Sequence, residues 1–272
     1  DREVIEVLAE KGVGMIALRC AGFNGVDLEA AKEHGIVVAR VPAYSPYAVA
    51  EHAVTLAMAL NRRIPQANRR VRDMNFTLDG LVGFDMHGKT AGLIGTGKIG
   101  KIAAQIFKGF GMRVIMWDSY PDPAWAQEQE LEYVTLSEIG READIVSLHV
   151  PLFPETEHII NDLVLAALKP GVILINVSRG ALVDTVALIE ALKSGHVGGV
   201  GLDVYEEEEG KFFEDLSGQV MTDDVLARLM TFPNVIVTAH QAFLTKEALE
   251  EIALVTTENV VAVGAGRSPE PE

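Results

Sequence analysis

Two groups of residues in this chain have the types and spacing for chemistry. The first is Gly95-Thr96-Gly97-Lys98-Ile99-Gly100, which directly follows the apolar run 91–94 and opens an amphipathic stretch over 99–110. In that setting the first glycine makes a tight turn, the second lets backbone approach a pyrophosphate, and the third lets a helix pack on a strand. The amides and dipole at the helix start would meet the phosphates. Asp118 stands eighteen residues beyond Gly100, at the end of the next apolar run, placed to accept from both hydroxyls of an adenosine ribose. Its charge would repel a 2′-phosphate, so the pattern favours NAD over NADP.

The second group is Arg179, Glu208 and His240. Arg179, in Ser178-Arg179-Gly180, lies just past the apolar run 172–177, and His240 lies just past 235–238. Residues at the C-terminal ends of parallel strands face the ligand crevice. An arginine fork can hold a carboxylate and polarise a neighbouring carbonyl. A histidine can give a proton to a developing alkoxide, and an adjacent carboxylate favours the imidazolium that this needs. Together the three suit hydride transfer to a 2-keto acid. Each also has a plainer reading: a surface arginine paired with nearby acids, one member of the solvated run 206–209, and a hydrogen-bonded structural histidine.

These residues need a frame, and the chain provides alternating short β-branched runs and helical patterns. Strands are expected over 15–18, 36–41, 90–94, 113–117, 144–149, 172–177, 199–203 and 235–238. Helices are expected over 4–10, 27–34, 48–60, 99–110, 136–142, 161–168, 184–194 and 246–263. The acidic stretch 205–224 reads as a long loop, a length that often marks function. The alanine-rich helix 48–60 is apolar almost all round, which suits a place between domains or between subunits. The expected class is α/β, with a doubly wound parallel sheet.

At 272 residues the chain is long enough for about two domains. Its 23 Lys+Arg against 39 Asp+Glu give a formal charge of −16, which disfavours nucleic acid and anionic membrane surfaces as partners. The longest apolar run, 53–60, is stopped by Asn61, Arg62 and Arg63 and is too short to span a bilayer. The single cysteine, Cys20, fits a reducing compartment and hence the cytoplasm. No histidine pair has metal spacing, so no metal is expected.

The sequence resembles the D-isomer-specific 2-hydroxyacid dehydrogenases over nearly its whole length, most closely their fermentative NAD-dependent D-lactate branch. The resemblance rests on Arg19-Cys20-Ala21-Gly22-Phe23-Asn24, Val41-Pro42-Ala43-Tyr44-Ser45-Pro46, Ala50-Glu51-His52-Ala53, the glycine motif, Asn176-Val177-Ser178-Arg179-Gly180, Leu202-Asp203-Val204-Tyr205-Glu206 and His240-Gln241-Ala242-Phe243. Phe212-Phe213-Glu214-Asp215 also has the lactate-branch look. The resemblance implies NADH-dependent reduction of pyruvate to D-lactate and its reverse, with Arg179, Glu208 and His240 as the catalytic set. It places Lys98, Ile99, Asp118, Val150, Pro151, Thr156, Val177, Ser178, Arg179 and Asp203 beside NAD, with Asp203 near the nicotinamide carboxamide.

By the same resemblance the Ala21 and Gly22 amides and the Tyr44 hydroxyl meet the substrate carboxylate, and Phe243 encloses its methyl group. The implied architecture is a Rossmann-type NAD-binding domain over 44–240, inserted in a smaller flavodoxin-like substrate domain made of 1–43 plus 241–272. Relatives usually open with a further strand and helix, so that substrate domain is expected to be N-terminally incomplete. The alanine-rich helix 48–60, apt for a subunit interface, points to a homodimer or dimer of dimers. Two competing readings are a dehydrogenase for a larger D-2-hydroxy acid and a non-catalytic NAD-sensing binding protein on the same fold.

Overall fold

The computed structural model describes residues 1–23 and 25–269. Asn24 of the 19–24 segment and residues 270–272 lie outside the described residues. In chain order the elements are α1 (Arg2–Glu10), β1 (Met15–Ala17), α2 (Leu28–Glu33), β2 (Val37–Ala39), α3 (Pro46–Asn61) and α4 (Ile64–Arg72). There follow β3 (Thr90–Ile94), α5 (Lys98–Gly109), β4 (Arg113–Trp117), α6 (Pro123–Glu128), β5 (Glu132–Tyr133), α7 (Leu136–Glu142) and β6 (Ile145–Leu148). The chain closes with α8 (Asp162–Ala167), β7 (Val172–Asn176), α9 (Thr185–Lys193), β8 (Val197–Leu202), α10 (Asp224–Met230), β9 (Val235–Val237) and α11 (Lys246–Gly264).

Two compact units result, one made of Asp1–Ala48 with Phe243–Glu272 and the other of Val49–Ala242. The sequence reading sets the crossings at 43/44 and 240/241, whereas the two compact units part at 48/49 and 242/243. In the first unit β1 and β2 pair in parallel, Met15 opposite Val37. Ile5, Ala30, Ala31 and Ile36 form its small core, with Leu8, Ile16 and Val38 packed around it. Asp1 and Asp27 cap α1 and α2 by accepting from Val4 N and Ala30 N.

The second unit is a seven-stranded, all-parallel sheet in the order β5-β4-β3-β6-β7-β8-β9. The chain starts at β3, works outward to β5, then returns to β6 on the other side of β3, so β3 and β6 flank the point where strand order reverses. Such sheets are covered on both faces, which demands strands apolar on both sides. The strand residues of β6 and β7 are indeed all buried. A side-chain carboxylate, hydroxyl or amide caps each of α6, α7, α8, α9 and α10, which is why these short segments hold as helices.

Helix α3 is consumed by this core. Its Leu56 and Leu60 pack against β8, where Gly199 and Gly201 leave room for them, and Ala50, Ala53, Val54 and Ala57 are buried. The all-round apolar pattern therefore reflects burial within the chain's own fold. Exposed apolar side chains lie at the first turn of α3, Tyr47, and further on, at Ile64, Val71, Met74, Phe76, Leu78 and Val82. Among the described residues no helix is long and apolar enough to cross a membrane. Helices α4, α6 and α10 and strand β5 have no counterpart in the sequence reading. They are short, and tertiary packing decides such segments more than propensity does.

Candidate active site

The strand-order reversal between β3 and β6 opens a crevice at the carboxyl ends of the strands, the usual ligand position in such sheets. The glycine motif sits there. Gly95 leaves β3 with φ +103, and a Cβ on it would strike the main chain of His149 and Val150 as they leave β6. A Cβ on Gly100 would overlap the Gly95 carbonyl, so the helix start is pressed onto the turn. Gly97 is the N-cap of α5 and supplies no side-chain cap, and a Cβ there would meet nothing within 4 Å. The start of α5 thus carries no side-chain cap and is open beside Gly97, a cradle that fits a pyrophosphate.

Asp118, at the end of β4, already works within the chain. Its Oδ2 accepts from Thr96 N at 2.6 Å and Thr96 Oγ1 at 3.0 Å, and its Oδ1 accepts from Tyr120 N at 2.8 Å. A carboxylate offers about four lone-pair sites, so Asp118 holds the glycine turn while keeping limited capacity for a ribose hydroxyl. Beneath the turn, His149 pairs through Nε2 with Ser147 Oγ at 2.9 Å. Its Nδ1 is buried without a partner among the described residues, and burial pushes its imidazole down to about 4.

Arg179, Glu208 and His240 come together past the ends of β7, β8 and β9. His240 Nδ1 is 2.9 Å from Glu208 Oε1, and Glu208 Oε2 accepts from Tyr205 N at 3.3 Å. Burial pushes the Glu208 carboxyl up, but the hydrogen bond and charge of His240, the Tyr205 amide and the charge of Arg179 outweigh it. The carboxyl is left below its ordinary value, ionised at neutral pH. Arg179 is thus near enough to act on Glu208, and its Nη1 donates to Ser178 O at 2.7 Å. The Glu208 and His240 side chains are 30% and 28% exposed, enough to meet a ligand. The ring of Phe213 lies 5.8 Å from that of His240.

Ala239 and His240 both have left-handed backbone, φ +51 and +57, an arrangement that costs about 1–3 kcal/mol per residue unless its surroundings enforce it. Asp203 enforces it. The Asp203 carbonyl accepts from His240 N, and its carboxylate accepts from Thr238 Oγ1, Gln241 N and Ala242 N at 2.6, 2.8 and 2.8 Å. Thr238 Oγ1 is also 3.0 Å from His52 Nε2. Burial holds the His52 imidazole below its usual value despite the nearby Asp203 charge. Asp203 is 1% exposed, so its carboxylate faces this turn.

The other residues expected beside the cofactor lie in the first turn of α5 and in the segments that follow β6 and β7. Ser178 Oγ donates to Val150 O at 2.5 Å, tying the segment after β7 to the one after β6, and Thr156 Oγ1 donates to Pro151 O at 2.8 Å within the latter. Val150 and Val177 are buried, and Lys98 and Ile99 form the first turn of α5.

In the first unit, Ala21 and Gly22 follow β1, and Tyr44 follows β2. The Ala21 carbonyl accepts from Arg40 Nη1 at 2.8 Å, and Tyr44 meets Phe243 edge-on with centroids 5.8 Å apart. Sequence reasoning missed Thr238, Gly180, His158 and Glu206. A strand-end position was the one signal available for Thr238.

Comparison with known proteins identifies the family. Residues 54–242 match the family model described as D-isomer specific 2-hydroxyacid dehydrogenase, NAD binding domain. D-lactate dehydrogenase of Escherichia coli is 54% identical over 268 residues, 98% of this chain and 81% of that protein. The pyruvate reductase of Chlamydomonas reinhardtii superposes with a TM-score of 0.94 at 48% identity, covering 100% of this chain and 82% of that one. D-lactate dehydrogenase of Lactobacillus jensenii, solved with NAD+, gives a TM-score of 0.83 at 38% identity over 99% of this chain and 81% of that one. With a matching NAD-binding domain and an uncapped α5 behind the glycine turn, the chain is an NAD-dependent enzyme and belongs to the D-isomer-specific 2-hydroxyacid dehydrogenase family.

Proposed function

We propose that the chain interconverts pyruvate and D-lactate with NADH and NAD+. One observation carries the reading: an ionised Glu208 in contact with the His240 imidazole, beside Arg179, at the carboxyl ends of the NAD-binding sheet. The bound dinucleotide supplies or takes up the hydride at C2. Arg179 binds the keto-acid carboxylate and draws density from the carbonyl. His240 gives its proton to the C2 oxygen in reduction and takes it back in oxidation, a role worth about 10² to 10⁴ in rate. Glu208, 2.9 Å from His240 Nδ1, turns the imidazole so that its other nitrogen meets the substrate. In the first unit, the Ala21 and Gly22 amides and the Tyr44 hydroxyl receive the carboxylate, and Phe243 covers the methyl group.

The same reading assigns 1–48 and 243–272 to substrate binding, and places the enzyme in the cytoplasm in a fermentative role; a reducing compartment suits its exposed free Cys20. It acts as a homodimer or dimer of dimers, using the exposed apolar side chains of Val71, Met74, Phe76, Leu78 and Val82. The test is NADH oxidation with pyruvate followed by chiral analysis of the product. D-lactate supports the proposal. Turnover confined to larger keto acids would replace pyruvate, and NADH binding with no turnover of any keto acid would favour a sensor.

A further inference from the structure

Glu208 rides on the irregular segment 203–223 between β8 and α10, so something must fix it. Lys211 Nζ, 3.0 Å from Asp223, closes the far part of this segment. At its near end, Glu206 points inward beside Glu208, whereas Glu207 and Glu209 are exposed. Glu206 Oε1 is 2.6 Å from His158 Nε2, and its Oε2 accepts from Thr185 N, the first residue of α9, at 3.1 Å.

His158 is itself tightly held. Its backbone is left-handed, φ +48. Its amide donates to Ala181 O at 2.8 Å, and Ile160 N donates to Leu182 O at 3.0 Å. Those carbonyls belong to the residues directly after Arg179. Gly180 completes the arrangement, because a Cβ there would overlap the Tyr205 carbonyl and Glu206 amide. One carboxylate therefore joins the segment after Pro151, the segment after Arg179 and the segment bearing Glu208.

We propose that His158 and Glu206 are a positioning pair that sets Glu208, and through it His240, relative to Arg179. Neither side chain touches the reacting atoms. The inference rests on Arg179, Glu208 and His240 being the reacting set. The charged groups facing His158 are Glu206, Asp184 at the N-cap of α9, and Glu157. All are acidic, and together they raise its imidazole above its usual value, the hydrogen bond to Glu206 foremost. Below that raised value the pair is two opposite charges; above it a neutral imidazole N–H still donates to the Glu206 carboxylate.

The test is steady-state kinetics across pH for the wild type, His158→Ala, His158→Gln, Glu206→Gln and, as a control on the site, His240→Gln. A small misplacement of a reacting group is enough to cost one to two orders of magnitude. His158→Ala should lower kcat about tenfold by this effect, with KM for NADH little changed. The solvent isotope effect on kcat, from H2O and D2O at the pH optimum, should rise, because a misplaced His240 makes proton transfer the slower step. His158→Gln keeps a donor to Glu206 and should restore both, and Glu206→Gln should give a weaker form of the alanine result. A His158→Ala enzyme with wild-type kcat and isotope effect overturns the pair, and so does a lower kcat that follows a lower Tm with the isotope effect unmoved. Wild-type turnover by His240→Gln would instead overturn the assignment of the site.

Discussion

Asp203 sets the direction of His240 without touching its ring. Its carbonyl accepts from His240 N at 2.5 Å, and its carboxylate takes the next two amides, of Gln241 and Ala242. The side chain of an asparagine could not accept all of these bonds, since its amide nitrogen only donates. Asp203→Asn should leave at least one buried main-chain donor unpaired, at a cost of about 1–3 kcal/mol. Urea unfolding and kcat should fall together, and a variant as stable and as fast as the wild type would refute the assigned role.

His240→Gln removes the proton donor but retains a side chain of similar reach. Turnover of pyruvate should drop by about 10² to 10⁴, and NADH binding, followed by fluorescence titration, should be nearly unchanged. Weak cofactor binding with intact chemistry would contradict the role.

Asp118→Ala should act twice if Asp118, which holds Thr96, also accepts from the ribose as the proposed cofactor site requires. The dissociation constant for NADH should rise by about tenfold or more, as expected for loss of a charge-assisted bond worth roughly 1.5–3 kcal/mol. The constant for NADPH should rise less, narrowing the preference. Equal losses for both cofactors would show that the carboxylate supports the turn and does not select.

His149 gives the folded chain a defined acid weakness. Burial lowers its imidazole to about 4, against about 6.5 in an unfolded chain. The unfolded state therefore takes up the proton first as pH falls. The stability from neutral His149 is full above about 6.5 and is lost progressively down to about 4, up to roughly 3 kcal/mol in all. Chemical denaturation at pH 7 and pH 5 should show that loss in the wild type and a smaller one in His149→Asn. Equal slopes in the two proteins would remove His149 as the cause.

Much of this site is legible in the sequence because its residues sit at places that local pattern marks. Gly95, Gly97 and Gly100 follow a strand and open a helix, Asp118 ends the next strand, and Arg179 and His240 follow two more. What local pattern cannot supply is which acid of a run turns inward. Glu206 and Glu208 differ from Glu207 and Glu209 only in which way the turns of this segment face them, and their partners His158 and His240 lie 48 and 32 residues away. The inward carboxylate of Asp203 is hidden for the same reason, since Thr238 and Gln241 reach it only after β8 and β9 have paired. The apolar helix α3 shows the converse limit, because all-round hydrophobicity says that a surface is covered and not what covers it.

The two margins of the seven-stranded sheet are short, two residues in β5 and three in β9. A sheet edge is a template on which stray chains can pair, and brevity is one way to blunt it. Past β9 the left-handed Ala239 and His240 turn the backbone off the strand path, so an incoming strand would run out of partners where the imidazole is set. The bend that aims the proton donor thus also guards this margin against edge-to-edge aggregation.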